Sequence, residues 1–429
     1  MLILALIYFF IILFVSYKNF AYGIYSLALV LPLYILRFPI GILPTTVLEI
    51  HFLAVFLIWL IFYWKGDWQR IVDFIKNHKV FVITLFIFLL ASFVSIFVSA
   101  IGSKIPLNKI ILALGIWRAF FLEPIILFFI LVARQQNLSK TKMIWALFIS
   151  AGLVSLVAVF QEIFFVLNWQ FPYFGMAIYG RMNSIYTTPN AIGLFTLPIL
   201  FLSLLMHDTL KTKLQKYFYY FAILIILLAN FFSFSQGAWV ALAVASVVYL
   251  FFLGYKKFSV GLVILGIIIV LSIPTFRSIV LFQDKAGNNR FVLAEYTWDY
   301  LSYSPRQFVT GAGLRNFYDA VENPRRNPYL LEPLTFPHNI FLNFWSEIGL
   351  FGMLSFFFIF VLLIKYTWDL EDKKKRAILL AMLVVFFVHG LVDVPYFKND
   401  LAFAFWIFTF IIFSQKSTKS VKFIKSKVI

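Results

Sequence analysis

Residues 79–101 read KVFVITLFIFLLASFVSIFVSAI, and within them only the opening Lys79 is charged. Neither Gly nor Pro interrupts the run. A helix crossing a bilayer needs about 20 consecutive apolar residues at a rise of about 1.5 Å each. The stretch therefore reads as a membrane span. Outward from it, runs of the same kind are predicted near 2–17, 19–36, 42–63, 109–132, 143–166, 189–206, 218–234, 237–254, 259–275, 338–364, 377–395 and 400–414. The first two are short enough to form one broken element, so 12–13 transmembrane helices are expected.

Composition agrees. Of 429 residues, 63% are hydrophobic and 13% charged, against about 45–50% and about 25% in soluble domains. This excludes an ordinary soluble enzyme, a disordered chain and a secreted disulfide scaffold. The expected fold is an all-α polytopic membrane protein, with 1–429 as a single integral membrane domain. The 56 Phe residues suit lipid-facing surfaces. With no Cys, thiolate catalysis and Cys-ligated zinc or iron–sulfur sites are excluded. The Met1–Val15 run lacks a basic start and a small-residue cleavage site, so it reads as a retained helix.

The net charge of +18 has a topological explanation. Alternating connections (Lys18, Lys65–Lys79, Arg134–Lys142, Lys211–Lys216, Lys256–Lys257, Lys365–Arg376 and the tail from Lys416 to Lys427) hold 23 of the 36 basic residues. By the positive-inside rule that set is cytoplasmic, and nucleic acid is not an expected partner. The longest opposite connection, 276–336, has seven basic and six acidic residues.

Chemistry should lie where a membrane chain places polar groups against the bilayer's preference. Two external connections do so. One, about 167–188, carries Tyr179-Gly180-Arg181-Met182-Asn183 and leads into Pro189-Asn190. The other, 276–336, exceeds what joining two helices requires. Its aromatics, among them Phe291, Trp298, Phe308 and Phe317, suit a short helix at the interface or a lid over a membrane cavity. Arginines collect on this side: Arg37, Arg118, Arg181, Arg290, Arg306, Arg315, Arg325 and Arg326. The guanidinium fork matches phosphate oxygens bidentately, which a lysine does not. An external site for a phosphorylated lipid head group is the functional reading; solvated loop charges are the plain one. His338 opens a span in Pro337-His338-Asn339 and could act as general base on a hydroxyl. His389 stands four residues before Asp393, which would place both on one helix face with the carboxylate orienting the ring. His51 follows Glu49 by two residues, and a satisfied polar pair accounts for it as well as a role does. No Walker loop, dinucleotide fingerprint or His-Glu-x-x-His occurs, and the external loops have no Asp-x-Asp for a divalent ion. Metal-independent chemistry with no cofactor is expected.

These motifs resemble the O-antigen ligase/O-antigen polymerase superfamily. The resemblance rests on Arg290-x7-Trp298, Pro305, Gly311-Ala-Gly313-Leu-x-x-Phe317, Pro337-His338-Asn339-x-x-Leu342 and Glu347-x-Gly349-Leu-x-Gly352. Upstream, Gly180-Arg181-x-x-Ser184 with Pro189-Asn190 and Gly193, Ser233-Phe-Ser235-Gln236-Gly237, and Pro32-Leu-Tyr34 to Pro44-Thr-Thr-x-x-Glu49 also fit. The ligase-like region is 180–355. Where the family commonly carries Arg, this chain has Gln236.

The resemblance implies a C-type membrane glycosyltransferase of the bacterial cytoplasmic (inner) membrane, with its active site facing outward. It would take a glycan from an undecaprenyl-pyrophosphate carrier and pass it to a hydroxyl on lipid A-core, another glycan or a protein. Arg181, Arg290 and His338 are the implied catalytic residues; Arg315, Asn339, Gln236 and His389 are the candidate substrate contacts. A transporter or flippase for a polyprenyl-pyrophosphate glycan or another anionic substrate is the alternative, favouring internal repeats and helices broken at mid-membrane. A structural or sensory membrane protein is a third.

Overall fold

The computed structural model describes residues 2–41, 43–98, 107–169, 180–323 and 335–415. Tyr179, Arg325, Arg326 and the basic tail from Lys416 lie outside the described residues.

The fold is an all-α polytopic bundle. Among the described residues, seven helices are long and apolar enough to cross a membrane, or eight if one bent pair is a single span. The difference from 12–13 has local causes. The apolar run 2–36 divides into helices Leu2–Lys18 and Phe20–Leu29 and a tight turn over Leu31–Ile35. Asn19 ends the first helix and caps the second, accepting the Ala21 N–H at 3.1 Å. Lys256–Ser272 and Asn399–Gln415 are 17 residues each. Lys373–Gly390 begins with four consecutive cations.

The predicted span 42–63 starts late. Arg37–Ile40 and Leu43–Thr46 form an antiparallel hairpin in which Arg37 opposes Thr46 and Pro39 opposes Pro44. Proline lacks the N–H a helix interior needs. Helix Val47–Phe62 begins at a reciprocal cap: Thr46 Oγ1 accepts the Glu49 N–H at 3.2 Å, and Glu49 Oε2 accepts the Thr46 N–H at 3.1 Å. At its far end the chain turns by 98° into helix Trp64–Asn77, a segment expected to be a plain connection. One continuous apolar core runs from Ile12 to Ile412.

The long connection 276–336 is folded. It contains most of helix Pro274–Val280, then Lys285–Ser302 and Pro305–Thr310. Asp284 caps the second, accepting the Gly287 N–H at 3.0 Å; Ser304 caps the third, accepting the Gln307 N–H at 3.2 Å. The chain then docks onto the bundle. The Ala312 N–H donates to Ser346 O at 2.7 Å, the Leu314 N–H to Ser95 O at 3.2 Å, and the Arg315 N–H to Glu347 Oε2 at 2.5 Å. Gly349, at φ 75°, breaks helix Ile340–Trp368 at this joint. A Cβ there would stand 2.7 Å from Val309 O. The Gly311-Ala-Gly313 and Glu347-x-Gly349 motifs are thus two halves of one docking surface.

Candidate active site

Two segments bond to the turn that follows helix Lys373–Gly390, and a third, carrying Arg181, lies in electrostatic reach of it. The helix stops at Gly390, and Leu391, Val392 and Asp393 offer polar groups in three directions. Asn339 Nδ2 donates to Leu391 O at 3.2 Å. Arg290 Nε donates to Val392 O at 3.1 Å. His338 Nδ1 lies 3.3 Å from Asp393 Oδ1. His338 and Asn339 enter from the start of helix Ile340–Trp368, Arg290 from the second turn of Lys285–Ser302.

Arg181 completes the group from the segment before helix Asn190–Ser203. Its Nε donates to Ser233 O at 3.0 Å and its Nη2 to Asn190 Oδ1 at 2.9 Å. Ser233 lies at the junction of helices Lys213–Phe232 and Gln236–Leu253, where Phe234 takes φ 47° and Ser235 caps the second helix through the Ala238 N–H. This tight turn aims a carbonyl at the guanidinium. Both arginines are held by neutral oxygens, which position a guanidinium without neutralising it. Burial lowers the Arg181 pKa and Arg290 adds to that, while Asp393 opposes it. Burial also lowers that of Arg290, against Asp393 and Asp284. Arginine nonetheless stays protonated in proteins. Among the described residues, Nη1 of Arg181 and both Nη atoms of Arg290 make no hydrogen bond.

Asp393 is the residue that sequence reasoning assigned to the wrong histidine. The expected helix-face pair His389/Asp393 needs a helix through 393, and the helix ends at Gly390. The turn swings the carboxylate to His338. Burial alone would raise the Asp393 pKa. The hydrogen bond and charge of His338, with His389 and Lys398, outweigh it and hold the carboxyl below its ordinary range. With Asp393 ionised against Nδ1, the proton of a neutral ring belongs on Nδ1, and Nε2 carries the free lone pair. The His338 side chain is 26% exposed, so a substrate can reach it. Its backbone is left-handed, φ 50°, a conformation costing about 1–3 kcal/mol that persists only where surroundings over-determine it.

The other candidate contacts fall elsewhere. His389 is buried, with both ring nitrogens unpartnered among the described residues. Its ring lies between Gly193 and Gly237, where an added Cβ would meet its carbons at 3.0 and 3.1 Å. Gln236 Nε2 donates to Asp284 Oδ2 at 3.2 Å, so it steadies the residue that caps the Arg290 helix. Asn339 Oδ1 caps its own helix, accepting from the Phe341 and Leu342 N–H groups at 3.0 and 3.1 Å. Arg315 (φ 62°) is docked through its backbone on Glu347, which lies seven residues and about 10 Å along the helix from its first residue, Ile340. Of the remaining arginines, Arg118 is held between two carboxylates, Glu49 at 2.6 Å and Glu123 at 3.2 Å, and Arg306 Nη2 donates to Val98 O at 3.3 Å. Among the described residues, no group of three or more His, Asp and Glu could hold a metal ion.

Comparison with known proteins finds two likenesses. Residues 221–357 match the model of the O-antigen ligase family. A curated protein described as "ComP-specific O-oligosaccharyltransferase", from Acinetobacter baylyi, is 24% identical over 275 residues, which is 61% of this chain and 49% of that protein. The chain thus spans about half the length of the curated relative it matches. The matched segment 221–357 includes the Ser233–Gly237 junction, Arg290 and His338; Arg181 and Asp393 lie outside it. That segment is what the chain shares with the O-antigen ligase family.

Proposed function

We propose that the chain is a membrane glycosyltransferase of the O-antigen ligase type. It moves a glycan from an undecaprenyl-pyrophosphate carrier to a hydroxyl acceptor at the outer face of the bacterial cytoplasmic membrane. The observation that carries this reading is an accessible His338–Asp393 pair joined through one turn to Arg290, with Arg181 in electrostatic reach of Asp393, both arginines hydrogen-bonded to neutral partners. In the reaction the acceptor oxygen bonds to the anomeric carbon, and the bond from that carbon to the carrier phosphate breaks. The hydroxyl proton passes to His338 Nε2, and the imidazolium formed is stabilised by Asp393. Negative charge builds on the departing pyrophosphate. Arg181 and Arg290, fixed in advance by backbone carbonyls, face it without reorganising. The activated carrier linkage supplies the free energy, and the guanidinium groups supply the positive charge a metal would otherwise provide. The outward orientation rests on the Lys-rich connections at the opposite end of the bundle.

The test is reconstitution. Purified protein in lipid receives an undecaprenyl-pyrophosphate glycan and candidate acceptors, with EDTA present, and release of carrier pyrophosphate is followed. Acceptor-dependent release that vanishes in His338→Ala is expected. Binding of the donor with no release for any acceptor class would overturn the reading in favour of a transporter.

A further inference from the structure

A second feature of the folded connection is not used by the transfer chemistry. A cleft of about 290 Å³ opens where helix Pro305–Thr310 and the Gly311 turn meet the end of helix Lys79–Val98. Its walls include Tyr300, Ser304, Arg306, Gln307, Thr310 and Asn316. The size sits near the lower end for ligand sites, about 300–1,000 Å³. In a protein that is 63% hydrophobic, this lining stands out: four neutral hydroxyl or amide side chains, one phenol and one guanidinium.

The lining selects a chemical class. Ser304, Thr310 and Asn316 already donate within the segment, to Gln307 Oε1, Arg306 O and Ala312 O; their remaining acceptor capacity and the Gln307 amide are what a ligand meets, and an isoprenoid tail has nothing to offer them. A phosphate group would call for clustered cations, and Arg306, the one cation among the described lining residues, already donates to Val98 O. A polyhydroxylated, largely neutral chain fits best, because each hydroxyl both donates and accepts. Position adds a second constraint. Tyr300 follows Arg290 by ten residues on one helix, about 15 Å along its axis. Ser346, which receives the Ala312 N–H beside the cleft, is six residues and about 9 Å along the helix from its first residue, Ile340, which lies two residues after His338. Both routes start beside residues bonded to the 391–393 turn. The cleft therefore lies a few sugar units from the reacting centre.

We infer that the Tyr300–Asn316 cleft is a saccharide-binding subsite that holds a glycan several sugars away from the bond being made. The inference rests on the glycan-transfer reading above and adds length selection to it: a multi-sugar chain gains contacts that a single sugar cannot reach. Two substitutions probe it without touching His338, Asp393, Arg181 or Arg290. Gln307→Ala removes an amide, and Thr310→Trp fills the cleft; thermal unfolding checks that each folds.

The probe is the glycan released by mild acid from the host's own lipid-linked donor, titrated calorimetrically into full-length protein in nanodiscs. The control is the same glycan trimmed to its first sugar. Wild type and Arg290→Ala should bind the full glycan equally, both cleft variants at least tenfold more weakly, and the trimmed control should not distinguish any of the four. Unchanged affinity in both folded cleft variants would overturn the subsite. So would an affinity loss that disappears when anionic lipid is left out of the nanodisc, which would assign the cleft to a lipid head group. If wild type shows this binding pattern but no acceptor-dependent carrier release, the transfer reading fails and the subsite stands.

Discussion

Two arginine sites illustrate how the same residue type is used in opposite ways. Arg118 sits where the helix passing through residues 107–133 widens by one residue per turn over Arg118–Leu122. Its guanidinium reaches Glu49 at 2.6 Å and Glu123 at 3.2 Å. Asn399 Nδ2 also donates to Glu49 at 2.9 Å, and Glu49 caps its own helix. The cation is neutralised, and it ties three helices together. Arg181 and Arg290 instead bind Ser233 O and Val392 O, which fix their direction and leave their charge for a ligand. A widened helical turn often marks function; here its arginine is a clamp. What separates a structural arginine from a chemical one is whether its partner carries the opposite charge.

The comparison can be broken experimentally. The largest effect is expected at the free cation. Arg290→Ala should lower transfer by about 10²–10³-fold or more, the scale for losing a preorganised charge-stabilising donor, with membrane abundance unchanged on immunoblots. Arg290→Lys should recover little of it, because Nε and the fork are lost together. Near-normal turnover in either variant would remove Arg290 from the chemistry.

His338→Ala should cost about 10²–10⁴-fold, the range for a general base. Asp393→Asn should fall short of that, since the imidazole remains but loses the carboxylate that orients it. Carrier-pyrophosphate release measured for both variants ranks them, and an Asp393→Asn protein as active as wild type would uncouple the pair. The same variant has a stability signature. The Asp393 carboxyl is held below its ordinary value of 3.8, so its pairing contributes fully above that pH and is lost as pH falls through the lower folded value. Asp393→Asn should therefore flatten the acid side of the thermal-unfolding profile below pH 4 and leave its shape at pH 6–8 alone.

Arg118→Ala is expected to do the reverse of Arg290→Ala. Stranding a buried carboxylate costs about 3–5 kcal/mol, and with Arg118 itself 32% exposed a loss of about 2 kcal/mol is the better figure once solvent screening is counted. Detergent-solubilised protein should melt earlier, while turnover per folded molecule stays within a factor of two. A large turnover loss without a melting shift would erase the distinction drawn between the two sites. The smallest effect belongs to Gln236→Ala, which gives up one hydrogen bond to Asp284, about 0.5–1.5 kcal/mol; a severalfold fall in transfer at most is expected, and a collapse to the Arg290→Ala level would return Gln236 to the ligand site.

The class of molecule, the order of its motifs and three members of the candidate site can be read along the chain. Apolar runs such as 79–101 have one stable solution in a bilayer, a helix, because every backbone N–H and C=O must be satisfied within the segment. That constraint is local, so it is legible in one dimension. Arg181, Arg290 and His338 were legible because arginine and histidine at a membrane surface are exceptional. Span lengths were less so: Asn19, Pro39 and Pro44 cut apolar runs that hydropathy leaves whole.

Tertiary structure alone decided the partners. Sequence spacing assigned Asp393 to His389; the helix end at Gly390 gave it to His338, and His389 is buried against Gly193 and Gly237. Sequence also counted Arg118 with the external arginines, and only the meeting of Glu49 and Glu123 on separate helices neutralised it. Polar contacts act over a few ångströms between segments far apart in the chain: Arg118 and Glu49 are 69 residues apart, and Arg290 and Val392 are 102. No spacing rule along the chain records such contacts, because packing of the helices creates them.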